Sequence, residues 1–272
     1  MISSTNMAAL YSANAANKWS AAATTASERI STTYRINRSS DDPSGMMLAT
    51  ALSTDLGSYS RTLDNIHSGI AAVQKVDASL SSIASYLTEM RTLAVTAAST
   101  SSASTLSSLQ TSFDNYRSDI TSVATHTTLN GSSLMDGSTT SVSVQVGIAA
   151  GDSRSLSFSS ATAASLGLSS LDISTDANTA ISTIDTALVS IANYQASVGA
   201  QETLLGHRET LSDAMILSLT SAYGNVMDAD VAAETTNLAT YQIREEAATA
   251  VMVQANTITK ELVAYLLKDI TS

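Results

Sequence analysis

The sequence predicts a mainly α fold: long antiparallel helices forming a coiled-coil-like rod, with a small β-hairpin near the middle of the chain. Three observations carry this. Apolar residues recur at helical spacing over stretches much longer than an ordinary globular helix. Proline occurs once in 272 residues, and strict alternation is confined to two short runs between residues 141 and 159. The composition agrees, being 44% hydrophobic but only 4% aromatic. Cores of Ala and Leu suit close-packed helices better than sandwiches or barrels.

Residues 2–35 read as a helix with a weak seam. Ile2, Ala9, Ala16, Ala23 and Ile30 form one heptad row, and Ala13, Ser20, Ser27 and Tyr34 form the other. Burial worth ~0.8 kcal/mol per CH₂ scarcely offsets a backbone ordering cost of ~1–2 kcal/mol per residue. Alone, this segment is expected to be largely unfolded.

The stretch 44–98 is the strongest helix. Leu52, Tyr59, Ile66, Val73, Leu80, Leu87 and Ala94 repeat by seven, flanked by Leu56, Leu63, Ile70, Val76, Ile83 and Met90. At ~1.5 Å per residue this is one helix of ~80 Å. Asp41 and Asp42 are placed to cap its free N–H groups, and Pro43 suits its first turn. A stripe of that length needs partner helices.

A second helix is expected from about Thr105 to Ala124, its buried face made by Leu106, Leu109, Phe113, Tyr116 or Arg117, and Ile120. Asn130-Gly131 and Asp136-Gly137 are turn dipeptides. Val142, Val144 and Val146, then Leu156 and Phe158, alternate with polar residues and read as a β-hairpin that must lie on the helices. Residues 160–175 are expected to be a Ser/Ala/Gly-containing connection, with no large extra domain. Helical periodicity returns at Thr175 with Ala177, Ile184, Ile191, Val198 and Leu205, and the stripe continues through Leu211, Met215 and Leu219. Gly224 is expected to mark a bend. A last helix follows Asp228-Ala-Asp230, with Ile243, Ala247, Val251, Ile258, Leu262 and Leu266 as its apolar row, set to face the small-residue seam of 2–35.

A formal charge of −11 and a pI near 4.5 argue against a nucleic-acid binder. Lysine is confined to Lys18, Lys75, Lys260 and Lys268, so no polybasic membrane patch exists. No 18-residue apolar run and no basic-then-apolar N-terminus is present, so neither a membrane span nor a cleaved signal peptide is expected. Cys is absent, and the three histidines, His67, His126 and His207, are isolated. The residues therefore predict no catalytic group, no metal site and no cofactor. The pairs Asp41-Asp42 and Asp228/Asp230 read as helix caps in preference to ion ligands.

Several stretches resemble bacterial flagellins. They are Ala26 to Asn37 followed by Asp41-Asp42-Pro-Ser-Gly45, Met90 to Ala98, and Leu129-Asn-Gly131. They continue with Val142 to Gly147, Ala196 to Gln201 through Leu205 and His207, Asp228 to Thr235, and Val253-Gln-Ala-Asn256. A single motif of this kind is weak, but these occur in order at both ends of the chain. The sequence departs from the pattern at Thr33, where the family usually has glycine.

The resemblance implies a structural subunit that polymerises into the flagellar filament, a helical propeller for swimming. The terminal helices would pair as an inner coiled coil, from 1–43 and 228–272. The outer core would comprise 44–175 and the returning helix 176–227. Ile2, Ala9, Ala13, Ala16, Ala23, Ile30, Tyr34, Val251, Ile258, Leu262 and Leu266 would form the self-assembly seam. Implied partners are further copies in an open helical homopolymer, the hook-associated junction and cap proteins, and the flagellar export apparatus with its chaperone. Neither nucleic acid nor membrane is among them. The protein would be secreted to the extracellular flagellum without a cleaved signal peptide. A segment recognised by the animal Toll-like receptor for flagellin is matched at Arg91 and Leu93, but not at Glu89, Thr92 or Ser112. The alternative is a hook–filament junction protein, or a surface-exposed flagellin homologue acting as a binding module.

Overall fold

The computed structural model describes residues 6–271, excepting the side chains of Leu262 and of residues 266–271. Ile2 and the side chains of Leu262 and Leu266 thus lie outside the described residues. The helices and the hairpin follow the predicted order, with one further short strand pair: α1 (Met7–Thr32), α2 (Pro43–Ala98), α3 (Ala103–His126), two small antiparallel strand pairs, α4 (Ala177–Met227) and α5 (Val231–Thr271). The pairs are β1 (Thr128–Leu129) with β2 (Ser132–Ser133) and β3 (Ser141–Gln145) with β4 (Ser153–Ser157). Two compact units result, Met1–Thr54 with Leu219–Ser272, and Asp55–Ser218. The division falls inside α2 and α4, not at their ends, because both helices supply residues to both units.

In the unit Asp55–Ser218, the two apolar rows of α2 do what their spacing requires. Ile66, Val73, Leu80, Leu87 and Ala94 are fully buried, as are Val76, Ile83 and Met90. They meet Ile184, Ile191, Val198 and Leu205 of α4 and Phe113, Ile120 and Ala124 of α3 in one core. Arg91–Asp185 at 2.6 Å and His67–Glu209 at 3.0 Å tie α2 to α4 at both ends of an antiparallel pairing. The hairpin sits on this core through Val144, Leu156 and Phe158, with Val142 directly opposite Leu156. Gly147 follows β3 because a Cβ there would fall onto the Asp152 carboxylate.

Two expectations need correction, and a third gains detail. Residues 160–175 are a connection without helix or strand, but Ala161, Ala163, Leu168 and Ile173 are all buried and complete the core. Side chains hold this segment: the Ile173 N–H donates to Gln110 Oε1 at 2.8 Å, and Arg117 reaches the Leu171 carbonyl at 3.4 Å. The α4 stripe also ends earlier than its periodicity suggests. Leu211 and Met215 are 45% and 40% exposed, because α3 and the hairpin do not cover this stretch and two helices alone bury only their facing sides. Gly224, in the other unit, marks no bend. The helix runs through it, and the absent side chain admits the Asp228 carboxylate, which would lie 2.8 Å from a Cβ.

In the terminal unit α1 lies antiparallel to α5, a direction fixed by Asn6 meeting Thr259 and Arg29 meeting Glu234. Between α1 and α2 the chain turns at Thr33, whose φ of 61° is left-handed. The backbone then bridges to the α4–α5 junction, with the Arg35 N–H donating to Met227 O at 2.6 Å and the Ala229 N–H to Thr33 O at 2.8 Å. Ile36 plugs this turn against Ala49, Met227 and Tyr223. Of the two aspartates before α2, only Asp42 caps it, accepting from the Ser44 and Gly45 N–H groups. Asp41 instead closes the preceding loop through the Asn37 and Arg38 N–H groups.

A β-branched residue in the left-handed region costs ~1–2 kcal/mol. Thr33→Gly is expected to raise the stability of the terminal unit by about 1 kcal/mol, read as a higher urea midpoint. An unchanged or lower midpoint contradicts the strain.

Four carboxylates sit below their ordinary range through hydrogen bonds: Asp42 from the Gly45 backbone, Asp136 from Ser138, Asp172 from Ser174 and Asp176 from Thr179. With folded-state values depressed, their stabilisation is present above about pH 4 and is lost as pH falls through those values. Thermal unfolding should move to lower temperature below about pH 4, and Asp172→Asn with Asp176→Asn should flatten that fall. A profile equally steep in the double variant would contradict this.

Candidate assembly surface

The seam between α1 and α5 is built from small residues at alternating spacings of three and four. On α1 the inward row is Ala9, Ser12, Ala16, Trp19, Ala23, Ala26 and Ile30. Ala9, Ala16, Ala23 and Ile30 of the first predicted row are therefore in place, while the second row is turned by one residue: Ala26 is buried and Ser27 exposed. Ala13 is half-buried beside the seam, and Tyr34 lies beyond the helix, 38% exposed and edge-on to Tyr223.

On α5 the inward row is Glu234, Leu238, Tyr241, Glu245, Ala248, Met252, Ala255 and Thr259. This is not the row expected to face α1. Val251 is 57% and Ile258 is 56% exposed, and Ile243 is more so at 66%. Polar and aromatic contacts explain which side wins. Asn6 Nδ2 donates to the Ala255 carbonyl at 3.0 Å and to Thr259 Oγ1 at 2.8 Å. Trp19 stacks on Tyr241 at 5.8 Å, and the Arg244 guanidinium lies 4.7 Å from the indole centre. Arg29 pairs with Glu234 at 3.1 Å, where Glu234 is only 13% exposed. Such oriented contacts fix which faces meet more tightly than alanine packing does.

The consequence is that large apolar side chains of both helices stay uncovered. Besides Ile243, Val251 and Ile258, α5 exposes Val253, Val263 and Tyr265, and α1 exposes Met7, Leu10 and Tyr11. Most of these are ordinary singly, but Val251 and Ile258, seven residues apart, share one side of α5 and leave it uncovered. The receptor-like segment is placed differently. Arg91 is engaged by Asp185, Leu93 is half-buried against the core, Glu89 and Thr92 are exposed, and Ser112 is half-buried. Among the described residues no group of three or more His, Cys, Asp or Glu could hold a metal ion, and no helix is long and apolar enough to cross a membrane.

Long helices that pair through a thin seam and leave an apolar face open define a self-associating helical protein. Family models agree on which kind: the bacterial flagellin N-terminal helical region matches residues 3–140, and the C-terminal helical region matches 181–266. Flagellin FljO of Caulobacter vibrioides is 31% identical, over 89% of this chain and 90% of its own. Flagellin FlaB2 of Treponema pallidum is 26% identical over 98% and 100%. Among solved structures, Bacillus cereus flagellin matches with a TM-score of 0.50 and 28% identity, over 54% of this chain and 88% of that one. A putative flagellar hook-associated protein from Vibrio parahaemolyticus shares the fold, with a TM-score of 0.58 at 16% identity, over 69% of this chain and all of that one. The chain belongs to the bacterial flagellin family. It is a structural subunit of the flagellar filament, and motility is the general role of that family.

Because Glu234 is nearly buried and Arg29 partly so, Glu234→Ala leaves the guanidinium poorly compensated. A loss of about 1–2 kcal/mol is expected, between the exposed and the fully buried cases. Amide exchange along α1 should quicken accordingly. Unaltered exchange there contradicts the role given to this pair.

Proposed function

We propose that copies pack into the filament through the outward row of α5, with Val251 and Ile258 at its centre and Leu262 and Leu266 continuing it along the sequence. The observation that carries this is the exposure of Val251 and Ile258 on one flank of a helix whose inward side is already occupied by α1. The seam residues Ala9, Ala13, Ala16, Ala23 and Ile30 then act within one copy, holding α5 so that its other face is presented. Tyr34, just beyond α1, is assigned to the same layer, and so is Ile2 on its heptad spacing alone. A contact between unlike faces builds an open helical polymer when the rotation it imposes does not close into a ring.

The junction and cap proteins at the hook, the export apparatus and an export chaperone are the partners that family membership supports. So is a route to the extracellular filament that needs no cleaved signal peptide. The division into an inner layer, 1–43 with 228–272, and an outer layer over 44–227 is part of the same reading.

Ile258→Asp tests the surface. The side chain is 56% exposed, so monomer stability should change by less than about 0.5 kcal/mol. Burying an unpaired carboxylate between copies is costly, so elongation of filament seeds should fall at least tenfold. Growth at the wild-type rate removes this surface from assembly.

Recognition by the animal Toll-like receptor for flagellin is weakened on this reading. Glu89 stands where the family has arginine, which replaces one charge pair by an unpaired or like charge. Thr92 and Ser112 each lack an expected carboxylate. The monomer should show a markedly lower potency in a receptor reporter assay, and Glu89→Arg should raise it. Full potency without that change contradicts the reading.

A further inference from the structure

Gln201 belongs to none of the assembly contacts, yet it makes a two-point contact with the hairpin. Its Oε1 accepts from the Ser157 N–H at 2.8 Å, and its Nε2 donates to the Ser157 carbonyl at 3.2 Å. The strand register explains why both groups are free. The Val146 N–H donates to Asp152 O and the Phe158 N–H to Thr140 O, so even-numbered residues of β4 face β3. In an antiparallel ladder the alternate residues turn their N–H and C=O groups outward. Here these are Ser153, Ser155 and Ser157, of which Ser153 already gives its N–H to Gly151. The Gln201 amide therefore stands where the backbone of a third strand would stand.

The edge of β4 is also open beside Gln201. A groove of about 360 Å³ runs beside β4, lined by Arg154, Leu156, Ser197, Ala200, Gln201 and Leu204. The strand is also complementary to itself. Antiparallel pairing of two β4 strands about Ser155 sets Ser153 against Ser157 and Arg154 against Leu156, so no like charges oppose. A serine edge with no bulge or proline gives little other protection.

We propose that Gln201 is an edge cap: it seats β4 on α4 and denies the free edge of β4 to the β4 of a second copy. The buried Tyr194, seven residues earlier on α4, assists by accepting from the Ser159 N–H at 2.9 Å. The pairing it prevents is two-fold and closed, which would divert copies from an open helical polymer. The inference rests on the hairpin geometry and does not depend on which face of α5 drives assembly.

The chain contains no cysteine, so Ser155→Cys supplies a single thiol at the centre of the predicted pair. Two such residues directly opposite lie ~5.5 Å apart between Cα atoms, within disulfide reach. In dilute monomer with a mild oxidant, Ser155→Cys alone should remain uncoupled. Combined with Gln201→Ala it should form disulfide dimer at least ten times faster. Ser143→Cys, on the outer edge of β3, should show no such gain with Gln201→Ala. Equal coupling at position 155 with and without Gln201 overturns the proposal. So does an equal gain at position 143, which would mean that the substitution merely loosens the fold.

Discussion

Alanine on α1 brings that helix close to α5, and this close approach decides what the rest of the terminal unit can do. Ala9, Ala16, Ala23 and Ala26 leave room for Leu238, Tyr241 and Met252 but bury little area of their own. The seam is therefore fixed by a few oriented contacts: Asn6 with Thr259, Trp19 with Tyr241, and Arg29 with Glu234. Once those are made, Ile243, Val251 and Ile258 have no place but outside. The larger apolar side chains of α5 are left exposed because smaller contacts on the other side of the helix set its orientation.

The unit Asp55–Ser218 shows the opposite balance. Its core holds Leu80, Ile83, Leu87, Met90, Phe113 and Ile120 at full burial. Each buried side chain of this size is worth about 1.5–3 kcal/mol, so the helices need no help from further copies. What does need help is the irregular chain laid on them. Side chains from the helices meet its free backbone groups: Gln110 at Ile173, Tyr194 at Ser159 and Gln201 at Ser157. Here apolar area supplies stability, and amide and phenol groups supply position.

The elements and most of the core are legible in the sequence, because an apolar period of seven kept over about fifty residues is the mark of a long helix and of little else. Legibility fails where the deciding contact is not periodic. On α5 two faces carry apolar residues, and the row with more Ile and Val has the pattern of an inward one. The true seam contains Glu234, Glu245 and Thr259, which no hydrophobic count would choose. On α1 the second row is displaced by one because alanine and serine hardly differ in the pattern at positions 26 and 27. The segment 160–175 has the composition of a connection, and its four buried residues follow no regular spacing. Gly224 has the look of a bend, although its small size serves the approach of Asp228. Of the four aspartates expected to cap, Asp42 and Asp230 do so, each accepting from backbone N–H groups at the start of a helix; Asp41 closes the loop before α2 and Asp228 lies against Gly224 instead.

Whether α5 turns its apolar row away from α1 and toward other copies is tested most directly by Val251→Cys, which places the only thiol of the chain on that row. Its modification by a maleimide should be fast in the monomer, where Val251 is 57% exposed, and at least tenfold slower in seeded filaments. Slow modification in the monomer would mean that this face is already covered by the chain itself. Equally fast modification in both states would mean that copies meet elsewhere.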